Sequence, residues 1–178
     1  MPKKAPAGAP SADLAPTLRR VVIGAALALR ALPDDRSAVQ PAPGKWSPRE
    51  IIGHLVDSAS HNHQRFVRAQ FQDDLVFPGY AQDEWVARQG YQEADWNDLV
   101  TLWESFNLHL ARVIDRIPES QRSRSRVRHN LHEIAWKEVP EDQTTTLDYF
   151  MWDYLGHLRH HLRQIDAALG AGSVPGLV

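Results

Sequence analysis

The chain has 178 residues, a formal net charge of −2 and 43% hydrophobic residues, which is enough to bury the core of one domain. This balance argues against a general binder of polyanions and against an intrinsically disordered chain. The sequence contains no cysteine. Disulfides, thiolate metal sites and a cysteine nucleophile are therefore excluded, and the composition fits a reducing, cytoplasmic location.

The N-terminal segment divides into a tail and a first helix. Residues 1–12 are rich in Pro, Ala and Gly, which predicts a disordered tail. Apolar residues then recur at helical spacing over about residues 13–31, which predicts a helix. The run at 19–33 resembles a signal peptide, but Arg30 interrupts it and it is too short to span a bilayer. We interpret it as the first core helix.

The stretch KWSPREIIGHL contains the clearest helix start in the sequence. Ser47 is a candidate N-cap, and Pro48 stands at the first helical position, where its missing N–H costs nothing. Glu50 follows the cap by three residues and can return a hydrogen bond to the Ser47 backbone. We predict a helix from Pro48 to about Phe71.

The middle of the chain is less regular. Residues 72–92 contain an FPGY turn and a short helix predicted around Asp83 to Arg88. Asp95 is predicted to cap a third long helix that ends near Ile117, before a proline.

A long connection over about 118–144 leads to the last helix. Thr144 or Thr145 is predicted to open this helix, which runs to about Leu169 and ends at Gly170. With four long helices and no strand alternation, the sequence predicts an all-α fold, an up-down four-helix bundle with long connections. We expect one domain over 13–170 and a C-terminal tail over 171–178.

The last helix carries the sequence DYLGHLRHHLRQID, in which His157 and His161 stand four residues apart. Residues at this spacing share one helical face, so a single divalent ion could bridge the two imidazoles. A third ligand is required, and His54 is the best candidate because it lies among apolar residues of the second helix. Spacing alone leaves the alternative open, because such histidine pairs also occur by chance. His160 lies between the pair and is expected to face solvent.

Other patterns in the chain point to no further site. Four arginines alternate with serine or valine in the 118–144 connection: Arg122, Arg124, Arg126 and Arg128. No aromatic residues interleave them and acidic residues follow, so we interpret the run as a solvated loop rather than a nucleic-acid site. The tryptophans are predicted to be core residues or subunit contacts.

Two motifs resemble the DinB/YfiT-like superfamily. KWSPREIIGHLVDSASHNHQRF resembles its second-helix motif W-S-x-x-E-x-x-x-H-L-x-D, and GHLRHHLRQI resembles its last-helix motif H-x-x-x-H-x-x-Q-I. QDEWVARQGY is also similar to a loop of YfiT-type members, and the likeness covers about residues 13–170. The resemblance implies a four-helix bundle in which three histidines bind a divalent ion, often nickel or zinc. Carried over, the triad falls on His54, His157 and His161.

The resemblance also implies a range of functions. Characterised relatives include S-transferases and isomerases that use mycothiol, bacillithiol or glutathione, and YfiT-like members are described as metal-dependent hydrolases. We therefore expect a metal-dependent S-transferase or hydrolase that acts on a small molecule, with a low-molecular-weight thiol as a candidate cofactor. A homodimer is expected, with neither nucleic acid nor membrane as partner. The alternative is a non-catalytic bundle in which the ion or the imidazole cluster is structural.

Residues around the triad remain less defined, and no catalytic residue is identified. Ligating imidazoles usually donate their second N–H to an oxygen. Asp57 lies one turn after His54 and Asp153 one turn before His157, so either could accept such a bond. Tyr80 and Glu84 belong to a loop that could line a pocket.

Overall fold

The computed structural model of the chain describes residues 13–170, and its long elements are all helices. The four long helices are α1 (Leu14–Arg30), α3 (Pro48–Arg68), α5 (Trp96–Arg116) and α8 (Leu147–Leu169). The connections contain the short helices α2 (Asp34–Ser37), α4 (Gln82–Gln89), α6 (Glu119–Arg122) and α7 (Leu131–Ile134), and a 3-10 turn at Tyr91–Glu93. The all-α four-helix bundle with long connections is confirmed. The predicted tails 1–12 and 171–178 lie outside the described residues.

The start of α3 follows the predicted capping box. Ser47 Oγ accepts a hydrogen bond from the Glu50 N–H at 3.3 Å, and Glu50 Oε2 accepts one from the Ser47 N–H at 2.8 Å. Asp95 caps α5 by accepting from the N–H of Asp98. Local sequence decides these ends because the bonded groups are only three residues apart.

Two helix ends differ from the prediction. Thr146, not Thr144 or Thr145, caps α8 by accepting from the Tyr149 N–H at 3.1 Å. Thr145 instead exchanges backbone hydrogen bonds with Arg126, so it belongs to the preceding loop. The helix α3 was predicted to end near Phe71 but ends at Arg68, because residues 69–71 form a turn.

The helix α1 packs antiparallel to α5. Arg19 near its start pairs with Asp115, and Arg30 at its end pairs with Glu104. The apolar segment at 19–33 thus contributes a core helix, as predicted from its sequence. None of the described helices combines the length and the apolar character that crossing a membrane requires.

The helix α3 runs parallel to α5, so the simple alternation of an up-down bundle does not hold between these two helices. Arg49 at the start of α3 donates to the Ala94 carbonyl just before α5, and the His63 ring lies 5.2 Å from that of His109, further along both helices. A parallel pair needs a connection that returns along the bundle, which explains the length of the segment 69–95.

The helix α8 packs antiparallel to α3. The Phe66 ring lies 5.7 Å from that of Phe150, and the His54 ring lies 4.7 Å from that of His161. The two histidine motifs, about a hundred residues apart in the chain, therefore meet at one level of the bundle.

The arginine run is less solvated than its sequence indicates. Arg126 is 2% exposed and donates to the carbonyls of Gln121, Arg124 and Ala69, so the interpretation as a solvated loop is wrong at this residue. The other three arginines form ion pairs with acidic residues: Arg122 with Glu119, Arg124 with Asp73, and Arg128 with Asp74. The run holds the 118–144 connection against the segment that directly follows α3.

Candidate metal centre

The three predicted histidines converge between α3 and α8. The Nε2 atom of His157 lies 3.3 Å from Nε2 of His54 and 2.9 Å from Nε2 of His161. One ring nitrogen of each residue lies within 4.8 Å of the other two. Nitrogen atoms bound at about 2 Å to one ion would be about 3 Å apart. The structure therefore brings the three side chains together at a spacing that suits a common metal ion.

Local sequence accounts for much of this geometry. His157 and His161 are one turn apart on α8 and so face α3 together. His54 is fully buried, and its ring packs 5.0 Å from that of Trp46, which also lies 6.3 Å from the His161 ring. Trp46 directly precedes the capping residue of α3, so the motif that starts the helix also covers the triad.

Hydrogen bonds on the far side of two rings orient them. Nδ1 of His161 lies 2.7 Å from Oε1 of Gln164, which can only accept, so this nitrogen carries the proton. Its Nε2 then presents a lone pair to the cluster. Nδ1 of His157 lies 3.4 Å from Oγ of Ser58. Nδ1 of His54 is buried and has no hydrogen-bond partner in the described part of the chain.

All three imidazoles are neutral at neutral pH. Burial, and after it the charge of neighbouring histidines, lowers the pKa of His54 to about 3 and that of His157 to about 2. Burial also lowers the pKa of His161 to about 4. Neutral imidazole is the form that binds metals. The Nε2 atoms of His157 and His161 lie 2.9 Å apart, and a divalent cation could take the place of the proton that such a contact shares, so the donor set fits such an ion.

The centre opens onto a cavity of about 370 Å³ that His157 and His161 help to line. Tyr80, from the first long connection, and Trp136, from the second, form part of its wall. Glu84 is exposed and does not line this cavity, so only one of the two predicted loop residues does. A second cavity of about 510 Å³ shares only His161 with the first.

The two carboxylates considered as partners of the histidines bind elsewhere. Asp57 accepts hydrogen bonds from Tyr91 Oη at 2.8 Å and from Gln89 Nε2 at 2.7 Å. Asp153 accepts from the backbone N–H groups of Trp136 and Lys137, at 2.9 and 2.8 Å. Within residues 13–170 neither carboxylate accepts a hydrogen bond from a triad imidazole, so the expectation is wrong for both.

Ser58 and Gln164 are the residues that contact the Nδ1 atoms of His157 and His161, and the sequence analysis did not predict them. Both stood in the quoted motifs, Ser58 four residues after His54 and Gln164 three residues after His161. Helical spacing was the available signal, because each lies one turn from a triad residue.

Two further residues lie next to the site. His160 is half-buried rather than fully solvent-facing, and its Nε2 lies 3.0 Å from Nε2 of Gln164. Gly53 was not predicted to matter, yet a Cβ at this position would lie 2.2 Å from the ring of Tyr91. The glycine lets Tyr91 approach α3 and reach Asp57 one turn further on.

Comparison with known proteins agrees with this architecture. The family model of the DinB superfamily matches residues 24–165. The structure is similar to that of YfiT from Bacillus subtilis, described as a probable metal-dependent hydrolase with an unusual four-helix bundle topology. That match has a TM-score of 0.72 and 16% identity over 96% of this chain and 93% of that one.

It is also similar to a mycothiol-dependent maleylpyruvate isomerase, with a TM-score of 0.65 and 15% identity over 95% of this chain and 66% of that one. No curated protein matches the chain significantly. Likeness at these identities shows the fold alone. Because the family model covers most of the sequence, the chain belongs to the DinB superfamily.

Proposed function

We propose that the protein is a divalent-metal-dependent enzyme whose ligands are His54, His157 and His161, with nickel or zinc as the candidate ions. The observation that carries the proposal is the cavity of about 370 Å³ that includes His157 and His161 in its wall. A small molecule in this cavity can reach the centre. The cluster found among residues 13–170 contains three ligating side chains, whereas closed structural zinc sites use four.

The ion would act as a Lewis acid and lower the pKa of a water or thiol that enters the cavity. Residues around the three histidines would orient the ligands and shield the ion. Gln164 holds the proton of His161 on Nδ1, which keeps Nε2 free, and Ser58 contacts the corresponding nitrogen of His157. Trp46 covers the centre and limits access of bulk water from its side.

Thiol transfer and hydrolysis are the two candidate reactions, and we place thiol transfer first. The chain has no cysteine, so a reacting thiol would enter as a second small molecule. Two cavities that share His161 suit a reaction between two small molecules. One of the similar folds belongs to a mycothiol-dependent isomerase, and the other to a probable hydrolase.

Metal analysis of protein purified without an affinity tag tests the ligand assignment. Wild-type protein and the His109→Ala variant, which changes an exposed histidine on α5, should each hold close to one nickel or zinc ion per chain. His157→Ala should hold none and keep its far-UV circular dichroism, because the helices bury a core without the ion. Equal metal content in His157→Ala would contradict the proposal. Loss of helicity after chelation of the wild type would favour a structural ion.

Thiol dependence separates the two reactions. Candidate electrophiles should be assayed with the metal-loaded protein in the presence and absence of bacillithiol, mycothiol and glutathione. Turnover that requires one of these thiols supports transfer, and turnover in water alone supports hydrolysis. His157→Ala should be inactive in either case.

We also propose that the protein is a homodimer. Leu27 on α1 is 68% exposed and Leu102 on α5 is 50% exposed, and Arg30 donates to Thr101, so the two leucines lie at the same level of the bundle. Exposed apolar side chains that cluster favour association. Analytical ultracentrifugation should give twice the chain mass, and Leu27→Asp should shift the protein to the monomer.

A further inference from the structure

The wall of the triad cavity carries a line of polar residues from α3. Ser58, Asn62 and Arg65 line the cavity and follow His54 at intervals of four, four and three residues. This spacing places all four side chains along one face of the helix. The line therefore runs from the triad to a cation at the far end of the same cavity.

Arg65 at that end is only 6% exposed. Its NH2 group donates to the Pro78 carbonyl at 2.9 Å, and the guanidinium lies 5.9 Å from the centre of the Phe150 ring. Its Nε is buried and finds no hydrogen-bond partner among the described residues, and the same holds for Oδ1 of the neighbouring Asn62. No ion pair joins Arg65 to a carboxylate anywhere in residues 13–170.

A buried cation without a counter-ion is costly, because its charge loses the hydration of bulk water. Burial accordingly lowers the pKa of Arg65, and the nearby Tyr80 offsets part of this effect. The guanidinium has five N–H donors in a planar fork that matches a carboxylate. A ligand anion in the cavity would supply the missing partner.

We propose that Arg65 binds the carboxylate of a small organic monoacid whose reacting group lies at the histidine triad. This inference rests on the proposed function and names the substrate class for the same site. Arg65 is the only Lys or Arg among the described residues that line the cavity, and Glu133 and Asp153 also line it. One cation beside two acidic groups suits a singly charged carboxylate better than a phosphate dianion.

The distance between Arg65 and the histidine triad sets the length of an acid that can reach both. Phe150, whose ring lies 5.9 Å from the guanidinium, precedes His157 by seven residues on α8, and Arg65 follows His54 by eleven residues on α3. At a helical rise of 1.5 Å per residue, these separations are about 10 Å and about 16 Å, and the second is shortened because helical side chains lean toward the N-terminus of their helix. A two-carbon acid is too short to span this distance, whereas an extended acid of about six carbons approaches it.

Binding of simple thiol acids to the cobalt-loaded protein tests this inference. The thiol of mercaptohexanoate ligates cobalt and its carboxylate can extend toward Arg65, whereas mercaptohexanol has the same length without the charge. Isothermal titration calorimetry should show the acid binding about tenfold or more tighter than the alcohol, which corresponds to about 1.4 kcal/mol. Arg65→Gln should remove this preference. Arg68→Gln, which changes an exposed arginine one turn further on α3, should keep it.

The outcomes separate this proposal from the metal site. Mercaptoacetate, which is too short, should bind equally to the wild type and to Arg65→Gln. Equal wild-type affinity for mercaptohexanoate and mercaptohexanol overturns the proposal and does not depend on whether a variant folds. Hexanoate titrated into metal-free protein provides a second arm. Arg65-dependent binding there, together with failure of cobalt to bind, would retain the anion site and reject the metal proposal. Cobalt binding without a preference for the acid would retain the metal proposal and reject the anion site.

Discussion

The helix pairs α1–α5 and α3–α8 bury very different surfaces. Where α1 packs on α5, the buried residues are almost all apolar. Each helix has one buried polar residue, Thr17 on α1 and Asn107 on α5. The ion pairs of this side, such as Arg30 with Glu104, remain partly exposed. The α3–α8 side buries a set of polar and ionisable side chains: His54, Asp57, Ser58, Asn62, Arg65, Asp153, His161 and Asp166.

This difference separates stability from function in the bundle. Burial of apolar surface stabilises the α1–α5 side by about 25 cal/mol per Å². On the α3–α8 side, each buried polar group costs desolvation energy unless it finds a partner. His54 Nδ1, Asn62 Oδ1 and Arg65 Nε have none among the described residues. Groups left in this state are expected where a ligand completes the structure.

Truncation of a large core side chain on the α1–α5 side should have the largest effect on stability. Trp96 is 1% exposed, and its indole N–H donates to the Leu29 carbonyl at 2.9 Å. We expect Trp96→Ala to lower the free energy of unfolding by about 3–5 kcal/mol, measured by urea denaturation. The metal content of the folded fraction should not change. Ser105→Ala, at an exposed position on α5, should stay within about 0.5 kcal/mol of the wild type.

On the α3–α8 side, a single carboxylate holds the cavity wall. Asp153 accepts from the backbone N–H groups of Trp136 and Lys137, so Asp153→Ala leaves two donors unpaired. The expected loss is about 2 kcal/mol in chemical denaturation, with Asp153→Asn intermediate because it keeps one oxygen. Asp142→Ala, in the exposed part of the same connection, serves as the control. A loss no larger than that of the control would show that these bonds are not needed.

The contact between Gln164 and His161 should tune the centre without affecting the fold. Gln164→Leu removes the oxygen that accepts from His161 Nδ1. Removal of such an outer hydrogen bond typically weakens metal affinity by 10- to 100-fold, so we expect at least about a tenfold increase in the dissociation constant. Competition with a chromogenic chelator measures it. Gln64→Leu, at an exposed position on α3, should retain wild-type affinity.

The three histidines between α3 and α8 should make the free energy of unfolding depend on pH. The folded-state pKa values of about 3, 2 and 4 lie below the reference value of 6.5, so the unfolded chain takes up protons first as the pH falls. The free energy of unfolding of metal-free protein should therefore decrease from about pH 6.5 toward pH 4, by about 1 kcal/mol per histidine and pH unit. His157→Gln should flatten this decrease. Identical pH profiles of the variant and the wild type would contradict buried, neutral imidazoles.

The accuracy of the sequence predictions follows the range of the interactions involved. The Ser47 capping box and the pairing of His157 with His161 involve residues within one helical turn, so spacing alone predicts them. Ser58 and Gln164 lay at the same spacing, but spacing does not say which of several polar neighbours points at a ring. The prediction of Asp57 and Asp153 failed because both carboxylates are taken by the long connections, through Tyr91, Gln89 and the backbone at Trp136 and Lys137.

The sequence by itself determined the four long helices, most of their ends and the shared face of His157 and His161 on α8. These depend on hydrophobic periodicity and capping, which act within a few residues. Only the tertiary structure decided that α3 runs parallel to α5, that His54 meets the α8 pair, that Tyr80 and Trp136 line a cavity, and that Arg65 lies at its far end with no carboxylate partner within residues 13–170. Those features depend on where the long connections pack, and the free energy of such packing comes from contacts between residues that no local pattern relates.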